Sequence, residues 1–181
     1  MLLDTPICNH GWEAPDFKLK DFDGNSYGLN DVIGEKGLLV AFICNHCPYV
    51  HAIIDRLIMD AKTLNGKGMG IVAIMSNDYS KYSDDAPEKM KIFAENHKMF
   101  FPYLVDETQE VAKSYDAVCT PDFFGFNAHK QLQYRGRLDN LKIGGVGERT
   151  PELLEAMQLI IHTGEGPEQQ IPSQGCSIKW K

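Results

Sequence analysis

The sequence lacks any apolar run of the roughly 18 residues that a helix needs to cross a bilayer. Its first residues also lack the basic segment and the apolar stretch of a secretory signal, so we expect a cytoplasmic protein with no membrane partner. Positive charge is scarce as well, because 18 Lys and Arg are outnumbered by 25 Asp and Glu. Nucleic-acid binding relies on clustered Lys and Arg, and we therefore expect no nucleic-acid partner.

Cysteine is sparse and odd in number, with five residues: Cys8, Cys44, Cys47, Cys119 and Cys176. The disulfide scaffolds of secreted proteins are smaller and denser in cysteine. The sequence therefore indicates a reducing compartment, in which a lasting disulfide is usually catalytic or redox-sensing.

The apolar pattern present in the chain predicts a strand–helix–strand unit. A continuous apolar run from Leu38 to Ile43 indicates a buried strand, and apolar residues at helical spacing follow from Val50 to Leu64. Gly70 to Ser76 is a second apolar strand. With 181 residues and 43% hydrophobic content, we expect one α/β domain over residues 1–181, with residues 163–181 as an irregular C-terminal tail.

Two cysteines lie where that first strand meets that helix, in the segment Cys44-Asn45-His46-Cys47-Pro48. A Cys-x-x-Cys in this setting is typical of thioredoxin-like redox sites. Helix N-termini and cationic neighbours lower a thiol pKa from about 8.5. We therefore predict Cys44 as the exposed nucleophile and Cys47 as the buried resolving thiol. Asn45 lies between them, and a protonated His46 would favour the thiolate.

A metal site is one alternative for the same cysteines. One Cys-x-x-Cys supplies two ligands, whereas zinc usually takes four. Further ligands would have to come through long-range folding from other parts of the chain, namely His10, His51, Cys8 and Cys119. We therefore expect no bound metal and no other cofactor.

A second motif, Thr120-Pro121, follows about 75 residues later, and with it the chain resembles the thioredoxin superfamily. In that superfamily a cis-proline faces the cysteine pair, and the backbone of the preceding residue pairs with substrate. The resemblance implies these roles for Pro121 and Thr120. Gly11–Phe17 resembles the N-terminal signature of the redoxin branch, which holds peroxiredoxins and TlpA/ResA-like oxidoreductases. Similarity to peroxiredoxin-like thioredoxin-family proteins with a Cys-Asn-His-Cys-Pro core extends over Lys36–Phe42, Cys44–Val50, Tyr134–Asn140 and the Cys176–Trp180 ending.

The resemblance implies a thioredoxin-like fold, with a central mixed sheet flanked by helices, an N-terminal hairpin and a helical insertion. It implies thiol–disulfide exchange with protein or small disulfides, an upstream dithiol reductant, and a monomer or homodimer. One departure concerns the buried aspartate that thioredoxin has six residues before its first cysteine. Leu38 stands at that distance here, so proton transfer to the resolving thiolate must use another group, water or His46.

The main alternative function is an antioxidant one, that of a peroxiredoxin-like thiol peroxidase. Peroxiredoxins carry Pro-x-x-x-Thr/Ser-x-x-Cys, and aligning that cysteine with Cys47 puts Cys44 at the hydroxyl position and Val40 at the proline position. Exchange is therefore the preferred interpretation. We expect Cys8, Cys119 and Cys176 to be packing residues, with a third redox thiol at Cys119 and a pairing role for Cys176 as alternatives.

Overall fold

The computed structural model describes all of residues 1–181. The chain forms ten strands and five α-helices. The strands are β1 (Leu2–Asp4), β2 (Lys18–Asp21), β3 (Ser26–Gly28), β4 (Gly37–Phe42), β5 (Met69–Met75), β6 (Tyr103–Val105), β7 (Cys119–Thr120), β8 (Asp122–Asn127), β9 (Leu132–Tyr134) and β10 (Gln174–Ser177). The helices are α1 (Leu29–Val32), α2 (Pro48–Asn65), α3 (Pro87–Asn96), α4 (Glu110–Ser114) and α5 (Glu152–Thr163).

The predicted mixed sheet is confirmed. Strands β3, β2, β6 and β5 are neighbours in that order, as are β4, β8 and β9. Strands β5 and β6 are parallel, whereas the other pairs in these groups are antiparallel. The Ile43 amide donates to the Ile74 carbonyl at 3.0 Å, which joins the end of β4 to β5. The strand–helix–strand unit predicted around α2 is therefore present.

Strand β4 is apolar throughout because it is covered on both faces. One face contributes Leu39, Ala41 and Ile43 to a core that also contains residues of α2 and α5. The other face contributes Leu38, Val40 and Phe42 to a second core, which includes Ala112 of α4 and the neighbouring Tyr115. Helices thus flank the sheet on both sides, as a buried central strand requires.

The helix ends follow local chemistry. Cys47 is the N-cap of α2, and Pro48 takes the first position, where its missing N–H costs little. Helix α5 begins at Glu152 with Pro151 as its N-cap, and it ends at Gly164 in the left-handed conformation. None of the helices combines the length and the apolar character needed to span a membrane.

The C-terminal tail is more regular than we predicted from its Gly, Pro and Gln content. Strand β10 lies between β1 and β7, with Cys176 opposite both Leu2 and Thr120. The sequence gives no signal for this strand, because Gln-Gly-Cys-Ser has neither apolar alternation nor β-branched residues. Hydrogen bonding to two strands that are distant in sequence stabilises β10, although its own residues do not favour a strand.

Candidate active site

The two cysteines lie at the junction of β4 and α2. Cys44 follows the strand by two residues, and Cys47 caps the helix. Both are almost completely buried, at 1% and 0% exposure. The prediction of an exposed Cys44 is therefore wrong for this structure. The physical reason is long-range, because β7 and the turn containing Asp85 close over the junction.

Thr120 contacts both cysteines. Its hydroxyl oxygen lies 3.3 Å from Cys44 Sγ, and its carbonyl accepts a hydrogen bond from the Cys47 thiol at 3.2 Å. The Thr120–Pro121 peptide bond is cis, as the resemblance implied. Strand β10 pairs with β7 at Thr120, whose backbone the resemblance assigned to substrate pairing. The structure thus brings together the cysteine pair and the Thr-Pro motif.

The two neighbouring thiols shift each other's titration. Interaction with the Cys44 thiol lowers the pKa of Cys47 to about 4 against the opposing effect of burial, and the Val50 backbone N–H in the first turn of α2 lowers it further. Interaction with Cys47, with burial and the negative charge of Asp85, raises the pKa of Cys44. The lowered pKa therefore falls on Cys47 and not on Cys44, which we predicted as the nucleophile.

Asn45 ties the turn between the cysteines to residues remote in sequence. Its backbone N–H donates to Asp85 Oδ1 at 2.8 Å, and its side-chain amide donates to the Asp84 carbonyl at 2.9 Å. Its side-chain oxygen accepts a hydrogen bond from the Tyr103 hydroxyl at 3.0 Å. Asn45 therefore fixes the shape of the turn that presents both sulfurs.

His46 forms an ion-pair contact with Asp85, at 2.6 Å between Nδ1 and Oδ2, and its ring stacks on Tyr82. Contact with the Asp85 carboxylate raises the pKa of His46, although partial burial opposes this. Burial alone would raise the pKa of Asp85, but His46 and hydrogen bonds from Asn77 and Asn45 hold it below its usual range. A charged pair thus lies next to the thiols.

Asp85 is the site residue that sequence reasoning missed. It belongs to a short 3-10 turn, Ser83–Asp85, inside a stretch that reads as a polar loop. Its carboxylate is completely buried and lies 40 residues from Asn45 along the chain. Leu38, at the position of the thioredoxin aspartate, packs instead into the core on the other sheet face. The buried carboxylate near the thiols therefore comes from a different segment.

The donor atoms of Cys44, His46 and Asp85 lie within 4.8 Å of one another, so these residues are the ones that could hold a metal ion. The additional ligands considered from the sequence, His10, His51, Cys8 and Cys119, do not join this group. His51 lies edge-on to Phe93, in a packing role. His46 Nδ1 lies 2.6 Å from Asp85 Oδ2, without the geometry of a hydrogen bond.

Residues 10–135 match the AhpC/TSA family. The chain belongs to this family. Membership agrees with the redoxin resemblance of the sequence and with the position of Cys44 and Cys47 after a central strand. No functionally curated protein matches the chain in sequence.

Solved structures extend the likeness over the whole chain. An uncharacterized conserved protein of Geobacillus kaustophilus is 42% identical, with a TM-score of 0.94 over 100% of this chain and 97% of its own. A hypothetical protein of Sinorhizobium meliloti 1021 is 36% identical, with a TM-score of 0.93 over 98% and 97%. The thioredoxin domain of a Bacteroides vulgatus thiol-disulfide oxidoreductase is 21% identical, with a TM-score of 0.65 over 84% and 97%, and shares the fold.

Proposed function

We propose that this chain is a thiol–disulfide oxidoreductase that uses Cys44 and Cys47 as a reversible dithiol/disulfide couple. The observation that carries the proposal is that both cysteines lie at the start of α2 and that Thr120 contacts both of their sulfurs. Two thiols on one turn can join in a disulfide, and the lowered pKa of Cys47 supplies a thiolate in the pair. The thiol-disulfide oxidoreductase from Bacteroides vulgatus with the same fold supports this reading.

In the reaction, the proton on Cys44 passes to the Cys47 thiolate, which leaves Cys44 as the thiolate. The Thr120 hydroxyl can then donate to Cys44, while the Cys47 thiol donates to the Thr120 carbonyl. Cys44 attacks one sulfur of a substrate disulfide, and the electron pair of the broken bond leaves on the other substrate sulfur, which takes a proton from solvent. Cys47 then gives up its proton and attacks the Cys44 sulfur; the Cys44–substrate bond breaks, the leaving sulfur takes up a proton, and the Cys44–Cys47 disulfide closes as the substrate departs as a dithiol.

Asn45, His46, Thr120 and Pro121 support this chemistry without taking part in the bonds that change. Asn45 fixes the turn through Asp85 and Tyr103. The charged His46–Asp85 pair, next to the thiols, sets the local field. A dithiol reductant of the thioredoxin class would restore the reduced pair. The whole of residues 1–181 forms the working unit in this proposal, because β1 and β10 pair the two ends of the chain.

Trapping with Cys47→Ser tests the order of attack. We expect this variant to accumulate a mixed disulfide at Cys44 with a disulfide-bearing protein, whereas Cys44→Ser does not accumulate one at Cys47. Cys8→Ser, at a half-buried thiol away from the pair, is the matched control and should turn over like the wild type. Rapid oxidation of Cys47 by hydrogen peroxide in Cys44→Ser, without any exchange activity in the wild type, would establish a thiol peroxidase instead.

A further inference from the structure

The C-terminal strand brings a third cysteine to the pair. In β10, Cys176 lies directly opposite Thr120 of β7. Residues opposite each other on antiparallel strands have Cβ atoms about 4.5–5.5 Å apart and point to the same face of the sheet. On that face the Thr120 hydroxyl is 3.3 Å from Cys44 Sγ. Cys176 also packs against the core cluster that contains Cys44 and Cys47.

The approach of β10 to this face depends on Gly175. A Cβ atom at this position would lie 2.1 Å from the Thr120 carbonyl oxygen, which is far inside the sum of van der Waals radii. A glycine is therefore needed for β10 to come this close. The close approach is what places Cys176 against the core cluster that contains Cys44 and Cys47.

Cys176 is more accessible to solvent than the two cysteines beside it. Cys44 and Cys47 are at most 1% exposed, whereas Cys176 is only partly buried. Cys176 is therefore the most accessible of these three cysteines. The remaining cysteines do not share this position. Cys119 precedes Thr120 on β7, so its side chain points to the opposite face, and its thiol donates to the Pro121 carbonyl at 3.6 Å.

We propose that Cys176 is a third redox-active thiol, which exchanges a disulfide with Cys47 and thereby connects the buried pair to its reductant at the surface. This proposal rests on the proposed function, in which Cys44 and Cys47 form a disulfide. It assigns to the tail strand a chemical role, where the sequence favoured packing and left a pairing role for Cys176 as the alternative.

The exchange balances without any added oxidant. Starting from the Cys44–Cys47 disulfide, the Cys176 thiolate attacks the Cys47 sulfur, and its own proton passes to water. The Cys47–Cys176 bond forms, the Cys44–Cys47 bond breaks, and Cys44 leaves as a thiolate that takes up a proton. A dithiol protein then attacks Cys176 and releases Cys47 as a thiolate. The second thiol of that protein closes its own disulfide and frees Cys176, so that two electrons have passed inward.

The charged groups near Cys176 affect its pKa differently before and after the pair is oxidised. Burial, and then the interaction with Cys47 and its negative charge, raise the pKa of Cys176 while the pair is reduced, and Lys179 opposes them. Once Cys47 is part of a disulfide, its charge is gone, and the influence of Lys179 on Cys176 remains. Oxidation of the pair therefore removes one of the effects that raise the pKa of Cys176, whereas burial remains.

Disulfide mapping of Cys44→Ser tests the proposal. After oxidation with diamide, followed by alkylation and peptide mass spectrometry, we expect a Cys47–Cys176 disulfide in most molecules. The double variant Cys44→Ser/Cys176→Ser is the matched control and should leave Cys47 free or bound to an added thiol. Circular dichroism of both variants establishes that they are folded before the disulfides are compared.

A kinetic measurement on the protein with Cys44 and Cys47 intact provides the second readout. We expect Cys176→Ser to slow reduction of the Cys44–Cys47 disulfide by thioredoxin at least tenfold, whereas Cys8→Ser leaves the rate unchanged. A wild-type protein that forms Cys44–Cys47, together with a folded Cys44→Ser protein without a Cys47–Cys176 bond, would overturn the role of Cys176 and leave the proposed function standing. A wild-type protein that never forms Cys44–Cys47 would instead remove the proposed function.

Discussion

Two completely buried carboxylates, Asp85 and Asp122, differ in the cation that faces each of them. Asp122 contacts Arg135, with Nη2 at 3.0 Å from Oδ2, and the guanidinium lies over the Phe124 ring at 4.4 Å. Asp85 contacts His46, whose side chain is 27% exposed. Arginine keeps its charge at all accessible pH values, whereas histidine can lose its charge near neutrality. The comparison separates a pair whose cation keeps its charge from a pair beside the thiols whose cation can lose it.

The two carboxylates also differ in their own titration. Burial raises the pKa of Asp122 to about 6, although Arg135 and the Val118 amide oppose this. For Asp85 the balance is reversed, because contacts with three groups outweigh the effect of burial and hold its pKa below the usual range. Asp85 therefore stays charged wherever the chain is folded near neutral pH. The difference teaches that burial alone does not set the charge of a carboxylate, since two equally buried carboxylates have pKa values shifted in opposite directions by the groups that contact them.

Arg135→Met should produce the largest loss of stability, about 3–4 kcal/mol at pH 7. Removing one partner of a buried ion pair leaves an uncompensated charge, which typically costs about 3–5 kcal/mol. We expect a loss in the lower part of this range because Asp122, whose pKa is raised, can take up a proton once Arg135 is gone. Urea unfolding measures the change, with Lys130→Met at a partly exposed position as the control. An unchanged midpoint would show that the pair contributes nothing to the fold.

The pH dependence of stability sharpens the contrast. Asp122 has a folded pKa of about 6, above the unfolded value of about 3.9, so its contribution is present at low pH and is lost as the pH rises through 6. Relative to Asp122→Asn, the wild type should therefore gain about 2–3 kcal/mol between pH 7 and pH 4. Unfolding curves at both pH values test this. A gain by Asp122→Asn over the wild type on acidification would contradict the assignment.

Asp85→Asn should have the smallest effect on stability, about 1–2 kcal/mol, because it keeps the shape of the side chain and exchanges one buried hydrogen-bonding group for another. Its clearest consequence concerns His46, whose raised pKa should fall toward about 6.5 when the carboxylate charge is removed. NMR titration of the His46 ring provides the measurement. His97, which contacts the exposed Asp55, serves as an internal control that should not change. A His46 pKa that stays raised would show that Asp85 is not its source.

Much of the fold could be predicted because its signals are local. The stripe from Val50 to Leu64 predicted α2, which spans Pro48–Asn65, and the apolar run from Leu38 predicted β4. The family signals in the Cys-x-x-Cys and Thr-Pro segments also predicted that these two parts would meet, and Thr120 does contact both cysteines. These features depend on residues close together in the chain or on motifs that mark a known fold.

The remaining features depend on contacts between distant segments and leave no local signal. Asp85 reaches the site from a polar turn, and nothing around it in the sequence distinguishes it from the exposed Asp84. Strand β10 exists because β1 and β7 flank it, not because Gln174–Ser177 favours a strand. The burial of Cys44 also follows from long-range contacts, those of Thr120 in β7 and of the turn that contains Asp85. Sequence reasoning therefore found the two cysteines and the Thr-Pro motif, and missed Asp85 and β10.

A redox titration of the wild-type protein in glutathione buffers, with alkylation and intact mass measurement, tests the central claim most directly. We predict one reversible two-electron transition in which Cys44 and Cys47 lose and regain alkylation together, and which is absent from Cys47→Ser. Full alkylation of both cysteines across all oxidising buffers would contradict the account. Stoichiometric metal bound by Cys44, His46 and Asp85 in protein that shows no such transition would contradict it equally.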